Sequence, residues 1–232
     1  MSNCLTSSSH DLTSSNKNAI VLSYHDYLLR SSDVALLKSN DWLNDVLIGF
    51  YFEYLNQQHK TDENKQILFI GPEVAQLLKM MQDSTQFNIF LDPIGAASYN
   101  FIFFPINDCD NYEAGGSHWS LLVYCAIEKM CYHFDSSRGI NSCAAEKLAQ
   151  NIIKYFSGKQ EKKYIEKACP QQNNAYDCGL FVLCLADVIS RYVLQTSKID
   201  SCNFNEVTKM VSQKRSDLLK LIRDLKDTFN TT

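Results

Sequence analysis

Cys178 closes a run of turn-forming residues, Pro170-Gln171-Gln172-Asn173-Asn174-Ala175-Tyr176-Asp177, and opens an apolar one, Gly179-Leu180-Phe181-Val182-Leu183-Cys184-Leu185-Ala186. Proline, asparagine and aspartate prefer loops and helix caps, whereas residues apolar on nearly every face mark a helix buried in a domain centre. The thiol therefore falls at a loop-to-helix junction. There the first backbone N–H groups are unpaired and the helix dipole is positive, which favours a thiolate. Gln172 lies six residues upstream and can project an amide N–H toward the same spot, where it would help hold a developing oxyanion. Cysteine is more often a small packed hydrophobe than a nucleophile. The polar, glutamine-bearing loop is what argues for a nucleophile here.

A thiol nucleophile needs a base close to the sulfur and a third group to orient that base. Of the five histidines, His10 lies in an N-terminal tail, His25 in an early turn and His59 in a polar loop, which leaves His118 and His133. The segments His118–Cys125 and Cys131–Asp135 read as a hairpin of two core strands with its turn around Glu128-Lys129. Such a hairpin brings the start of its first strand near the end of its second, so His118 and Asp135 could become cross-strand neighbours. Facing Cβ atoms are then about 5 Å apart, which suits an imidazole–carboxylate hydrogen bond. His133 shares a strand and a face with Asp135, but i and i+2 neighbours sit roughly 7 Å apart and pair poorly. The register is not fixed by the sequence. His118 is preferred and His133 stays open. A zinc site from Cys125, Cys131 and His133 is the weaker alternative, because no Cys-x-x-Cys knuckle is present.

Several elements must position these groups. Residues 1–19 are rich in serine, threonine and asparagine and read as a flexible tail, with order beginning near Ile20 and one catalytic domain over 20–232. Ser32 is placed to cap a short helix through Leu37, and Asp41 or Asn44 to cap the aromatic helix Val46–Leu55. A strand is expected at Ile67–Ile70 and a helix from Pro72 to Met80, with proline in the first turn. Phe101–Phe104 reads as a central strand. The polar stretch Asn107–Ser117, with its glycine pair, reads as a long functional loop. Asn141-Ser142 can cap a helix that Gly158 stops, Lys163–Glu166 alternates as an edge strand, and an amphipathic helix from Val207 to Leu225 closes the chain. Strands and helices that do not alternate regularly define an α+β fold, a central mixed sheet flanked by helices with the nucleophile at the N-terminus of a buried one.

The chain has 232 residues, 45% of them hydrophobic and 21% charged, with a net charge of −4. Its basic residues are scattered, without the stripe that neutralises phosphates, so nucleic acid is not expected as a partner. No apolar run suggests a membrane span and no signal peptide is evident. Nine cysteines without framework spacing point to reduced thiols in the cytosol or nucleus. The two tryptophans, Trp42 and Trp119, both lie beside candidate site residues. Trp42 alone would be taken for core.

His118-Trp119, Asp135 and Pro170-Gln171-Gln172-x-Asn174-x-x-Asp177-Cys178-Gly179 together resemble the sentrin-specific, Ulp-type cysteine proteases. Within that family the segments Val21–Tyr24, Trp42–Asp45, Ile48–Phe50 and Ala114–Tyr124 are similar to its deneddylating members, over most of the chain from about residue 20 onward. The resemblance implies a papain-like, Ulp-type fold and cleavage after the C-terminal diglycine of the neddylation modifier, in its precursor or its conjugates with proteins such as cullins. It implies Cys178 as nucleophile, His118 as base, Asp135 as orienter, and Gln172 with the Cys178 N–H as oxyanion hole. No metal or organic cofactor is required, and a monomer is expected. It also implies that Trp42 and Trp119 form a slot only glycines can thread, with the Asn107–Ser117 loop closing over the tail and Asp45, Asn107 and Asp108 beside it. The alternatives are a SUMO protease of the same family, a non-catalytic binding module for a ubiquitin-like protein, and an acyltransferase. A binding module would normally carry a broken triad, and all members are present here.

Overall fold

The structure, a computed structural model, describes residues 18–60, 66–112, 115–159 and 163–230. The tail expected over residues 1–19 falls almost wholly outside them. The fold is built on the five-stranded sheet β3 (Ile67–Phe69), β4 (Phe101–Asn107), β5 (Trp119–Cys125), β6 (Met130–Phe134) and β7 (Tyr164–Glu166), in that spatial order. The β4–β5 and β5–β6 pairs are antiparallel, while β3 and β7 run parallel to their neighbours at the two edges. Every residue of β4 and β5 is buried. That is why Phe101–Phe104 reads as a continuous apolar run: a strand covered on both faces has no polar side to show.

Two layers of helix cover the sheet. On one face lie α2 (Asp45–His59), α6 (Cys178–Thr196) and α7 (Val207–Asn230), with the small hairpin β1 (Ile20–Tyr24) and β2 (Tyr27–Arg30) packed beside them. On the other lie α3 (Pro72–Met80), α4 (Asn88–Leu91) and α5 (Ser142–Ser157). The central helix α6 is long and apolar enough to cross a membrane by length and composition alone, contrary to the sequence reading. Thirteen of its 19 residues are buried against the sheet and its neighbours, from Cys178 to Val193, so the apolar run belongs to a core helix.

Local chemistry sets several boundaries. Asn44 caps α2, its side-chain oxygen accepting from the Leu47 N–H at 3.1 Å, whereas the Asp41 carboxylate bonds Ser39 instead. The short helix α1 (Ser31–Leu36) begins two residues earlier than expected, with Arg30 at its N-cap position rather than Ser32. The Asp33 carboxylate reaches back to the Arg30 N–H at 2.7 Å, so the third helical residue satisfies the donor of the N-cap residue. Asn141 stands at the N-cap of α5, but its side chain makes no cap bond and turns to the Ile106 carbonyl and Ser120 instead. Gly158 ends α5 at φ 68°, the left-handed conformation that favours glycine. Cys125 and Cys131 point to opposite faces, since Cys125 pairs with Met130 and Tyr124 with Cys131. They cannot share an ion, and no group of three metal-ligating side chains occurs among the described residues.

Candidate active site

The loop before α6 is held by its own polar side chains. The Asn174 side-chain oxygen accepts from the Tyr176 and Asp177 N–H groups at 3.1 and 3.0 Å, and its amide nitrogen donates to the Asp177 carboxylate at 2.8 Å. That arrangement turns the chain into α6, whose first residue is Cys178. The approach at this turn is tight: a Cβ on Gly179 would sit 2.9 Å from the Leu43 Cβ. The Cys178 thiol is fully buried.

His118 and Asp135 are the other two groups brought to this point. His118 Nε2 lies 2.6 Å from Asp135 Oδ1, and both side chains are buried. The strand register differs from the simple facing pair. Leu121 opposes Phe134 and Leu122 opposes His133, so continuing the ladder sets Ser120 opposite Asp135. His118 then reaches the carboxylate diagonally from two residues further out, within range of a long side chain. Asp135 also accepts from the Ser137 N–H at 2.8 Å and the Asn141 N–H at 2.9 Å. Burial by itself raises its pKa, but the hydrogen bonds from His118, Asn141 and Ser137 outweigh that and hold it below the usual carboxylate range. Burial likewise disfavours a charged His118, yet its hydrogen bonds and charge pairing with Asp135 and Cys178 push its pKa up to about 9. With Nε2 engaged by Asp135, Nδ1 is the nitrogen left for the sulfur.

His133 is a different kind of residue. It is fully buried, bonded to Ser120 Oγ and the Tyr164 hydroxyl, both at 2.9 Å. Burial lowers its pKa to about 4, so it is neutral.

Gln172 packs against the turn that follows Asp135. Its side-chain oxygen accepts from Ser136 Oγ at 2.8 Å and one of its amide N–H bonds goes to the Asn174 carbonyl at 2.7 Å. This fixes which end of the amide is nitrogen and leaves its second N–H uncommitted in these bonds.

A cavity of about 500 Å³ opens beside this site, walled by α3, the start of α2 and the 107–117 loop. Trp42, Asp45, Asn107, Trp119 and Tyr112 line it; Asp108, Cys178 and His118 do not. Trp42 is half exposed (50%), which removes it from the core, and its indole N–H donates to the Ala175 carbonyl in the turn before Cys178. Trp119 is 9% exposed and donates to the Leu43 carbonyl at 3.1 Å. The Asp108 carboxylate is spent on its own loop, accepting from the Ser117 and His118 N–H groups at 2.6 and 3.0 Å. On the far side, Lys79 donates to the Asn107 and Cys109 carbonyls and Gln76 to those of Cys109 and Asn111. Sequence reasoning did not find these α3 residues, nor Ser137 and Asn141 around Asp135, because bonds to backbone groups leave no motif; Ser136, bonded side chain to side chain with Gln172, was missed because a lone serine carries no pattern.

A buried thiol at a helix N-terminus, next to an imidazole that a carboxylate orients, is the arrangement of a cysteine protease. The chain belongs to the Ulp1 protease family: the model of that family's C-terminal catalytic domain matches residues 41–224. Among its relatives, sentrin-specific protease 8 of Homo sapiens is 40% identical over 171 residues, 73% of this chain and 81% of that protein. NEDD8-specific protease 1 of Arabidopsis thaliana is 32% identical over 213 residues, 88% and 93% of the two chains. In fold, the chain is similar to the C-terminal Ulp1 protease domain solved in complex with Smt3, the yeast ortholog of SUMO. The TM-score is 0.68 at 23% identity, covering 93% of this chain and 90% of that one. The protein is accordingly a cysteine protease of the family that acts on ubiquitin-like modifiers.

Proposed function

We propose that the protein cleaves after the C-terminal diglycine of NEDD8, in the precursor, in conjugates with proteins such as cullins, or in both. The reading for this modifier is supported by the 40% identity to sentrin-specific protease 8 and the 32% identity to NEDD8-specific protease 1. The observation that carries the chemistry is the 2.6 Å contact of His118 with Asp135 beside the thiol that opens α6.

Cys178 Sγ attacks the carbonyl carbon of the last glycine. The resulting oxyanion is held by the Cys178 N–H and the free amide N–H of Gln172. His118, charged and oriented by Asp135, gives its proton to the departing amine, and a thioester joins the modifier to the enzyme. Neutral His118 then takes a proton from water, whose hydroxyl attacks the thioester; the C–S bond breaks, the modifier leaves as its carboxylic acid and loses that proton to solvent, and Cys178 Sγ is freed beside a charged His118. The cavity receives the tail, with Trp42 and Trp119 as walls that select glycine and Asp45 and Asn107 in its lining, while Asp108 holds the neighbouring loop in place through Ser117 and the His118 N–H. The enzyme acts as a monomer in the cytosol or nucleus. No disulfide joins the described cysteines, which suits a reducing compartment.

The test compares kcat/KM on C-terminal aminocoumarin derivatives of NEDD8, SUMO and ubiquitin, with Cys178→Ala as the control. The NEDD8 derivative is expected to be cleaved fastest and Cys178→Ala to be inert but folded. A SUMO preference would reassign the substrate, and turnover by Cys178→Ala would remove the thiol from the mechanism.

A further inference from the structure

Arg215, on the C-terminal helix α7, reaches back to both sides of the site. Its Nη1 donates to the Leu36 carbonyl at 2.7 Å and its Nη2 to the Asp41 carbonyl at 2.7 Å, and Nη2 also meets Asp177 Oδ1 at 3.3 Å. Asp41 immediately precedes Trp42, and Asp177 immediately precedes Cys178. The Arg215–Asp177 contact is mostly sheltered, with the two side chains 16% and 19% exposed, and the guanidinium also lies 6.0 Å from the Tyr176 ring centroid. One planar group thus joins three segments far apart in sequence. The remaining oxygen of Asp177 accepts from Asn174, and Trp42 closes the same circuit through Ala175.

We propose that Arg215 is a positioning residue that fixes the tryptophan wall of the groove relative to the turn that presents Cys178. This rests on the function proposed above for the groove and the thiol. A guanidinium suits the task because its donors form a rigid fork that can serve several acceptors in fixed directions, which an ammonium on a flexible stem cannot. Displacing either wall by an ångström costs rate out of proportion to stability, because near-attack geometry is lost.

The test uses Arg215→Gln and Arg215→Lys in the full chain, set against two variants that loosen α7 elsewhere. Arg191→Gln breaks the exposed pair with Glu206, and Lys214→Met breaks the buried pair with Asp187. Well below all melting temperatures, Arg215→Gln should lower kcat/KM on the diglycine derivative by about tenfold or more, with KM raised as well as kcat lowered. Arg215→Lys should recover only part of the loss. Both control variants should keep wild-type kcat/KM whatever their melting temperature. Two further readouts need no modifier: the iodoacetamide alkylation rate of Cys178, expected to change, and acrylamide quenching of tryptophan fluorescence, expected to rise as Trp42 is released. If activity, alkylation and quenching follow melting temperature alike in all four variants, Arg215 is a structural tie and the proposal is overturned. If wild-type enzyme cleaves no modifier, the functional reading fails, and the alkylation and quenching arms still decide the role of Arg215.

Discussion

Two buried histidines are tuned in opposite directions, and the difference is set by what each one faces. Burial opposes charge on both; at His118 the bonded carboxylate and the thiol outweigh it and raise the pKa to about 9, whereas at His133, whose ring nitrogens bond hydroxyls, burial prevails and lowers it to about 4. A raised histidine pKa contributes stability that is complete below the unfolded value near 6.5 and is lost as pH rises through about 9. A depressed one contributes stability that is present above 6.5 and is lost as pH falls through about 4. Thermal unfolding across pH should therefore show the gap between wild type and His118→Gln widest near neutrality or just below, and narrower above about pH 9. Loss of wild-type stability between pH 6.5 and 4 should be smaller in His133→Asn. A His118→Gln gap that grows with alkaline pH would contradict the charged-imidazole assignment. Gln172→Ala should lower kcat by roughly 10²-fold with little change in KM, as loss of an oxyanion donor does. A change confined to KM would place Gln172 in tail binding instead.

The elements show why so much of the site could be read before the fold was seen. Cys178, His118 and Asp135 are reactive types at the ends of strongly patterned elements, and those ends converge because hairpins and helix N-termini have fixed geometry. The β1–β2 hairpin and α4 were not foreseen, since a four-residue strand and a one-turn helix carry almost no periodicity. His25 forms the hairpin turn at φ 49°, which no glycine advertises. The diagonal register of His118 on Asp135 was beyond reach for a related reason: alternation fixes the face of a strand, not its offset. The stretch from Asn107 to Ser117 was legible as a polar loop, but the tethers of its described residues to Gln76 and Lys79 were not. Among its described residues Gly116 carries a strict requirement: at φ 83° a Cβ would fall 1.9 Å from Asn107 Oδ1. Gly116→Ala must therefore reshape the wall of the cavity. KM for the diglycine derivative should rise severalfold while the iodoacetamide reactivity of Cys178 changes little. Unchanged KM would mean that this wall does not touch the tail.

At the scale of the whole molecule, α6 is held between the sheet and two other helices, and one polar cluster interrupts its apolar packing. The Tyr51 hydroxyl of α2 donates to Asp187 of α6 at 2.8 Å, and Lys214 of α7 donates to Asp187 at 2.6 Å and to the tyrosine oxygen at 2.7 Å. The ammonium also lies 3.9 Å from the Tyr51 ring centroid. Burial and the neighbouring Asp187 charge raise the Tyr51 pKa far above its usual value, so the phenol keeps its proton. With Lys214 side chain 7% exposed and Asp187 14% exposed, the pair gains from weak screening but has also given up most of its hydration. Removing one partner leaves the other charge stranded, whereas removing the cluster as a unit strands nothing. Lys214→Met alone should therefore destabilise the protein by about 3 kcal/mol. The triple variant Tyr51→Phe, Asp187→Leu, Lys214→Met should recover most of that loss, as replacement of a buried ion pair by packed apolar groups often does. Denaturant unfolding of the three proteins reads both numbers. A triple variant less stable than the single one would show that the three helices need this polar contact to settle in register. Since none of the three side chains lines the cavity or touches Cys178, kcat/KM of the folded triple variant should stay at the wild-type value.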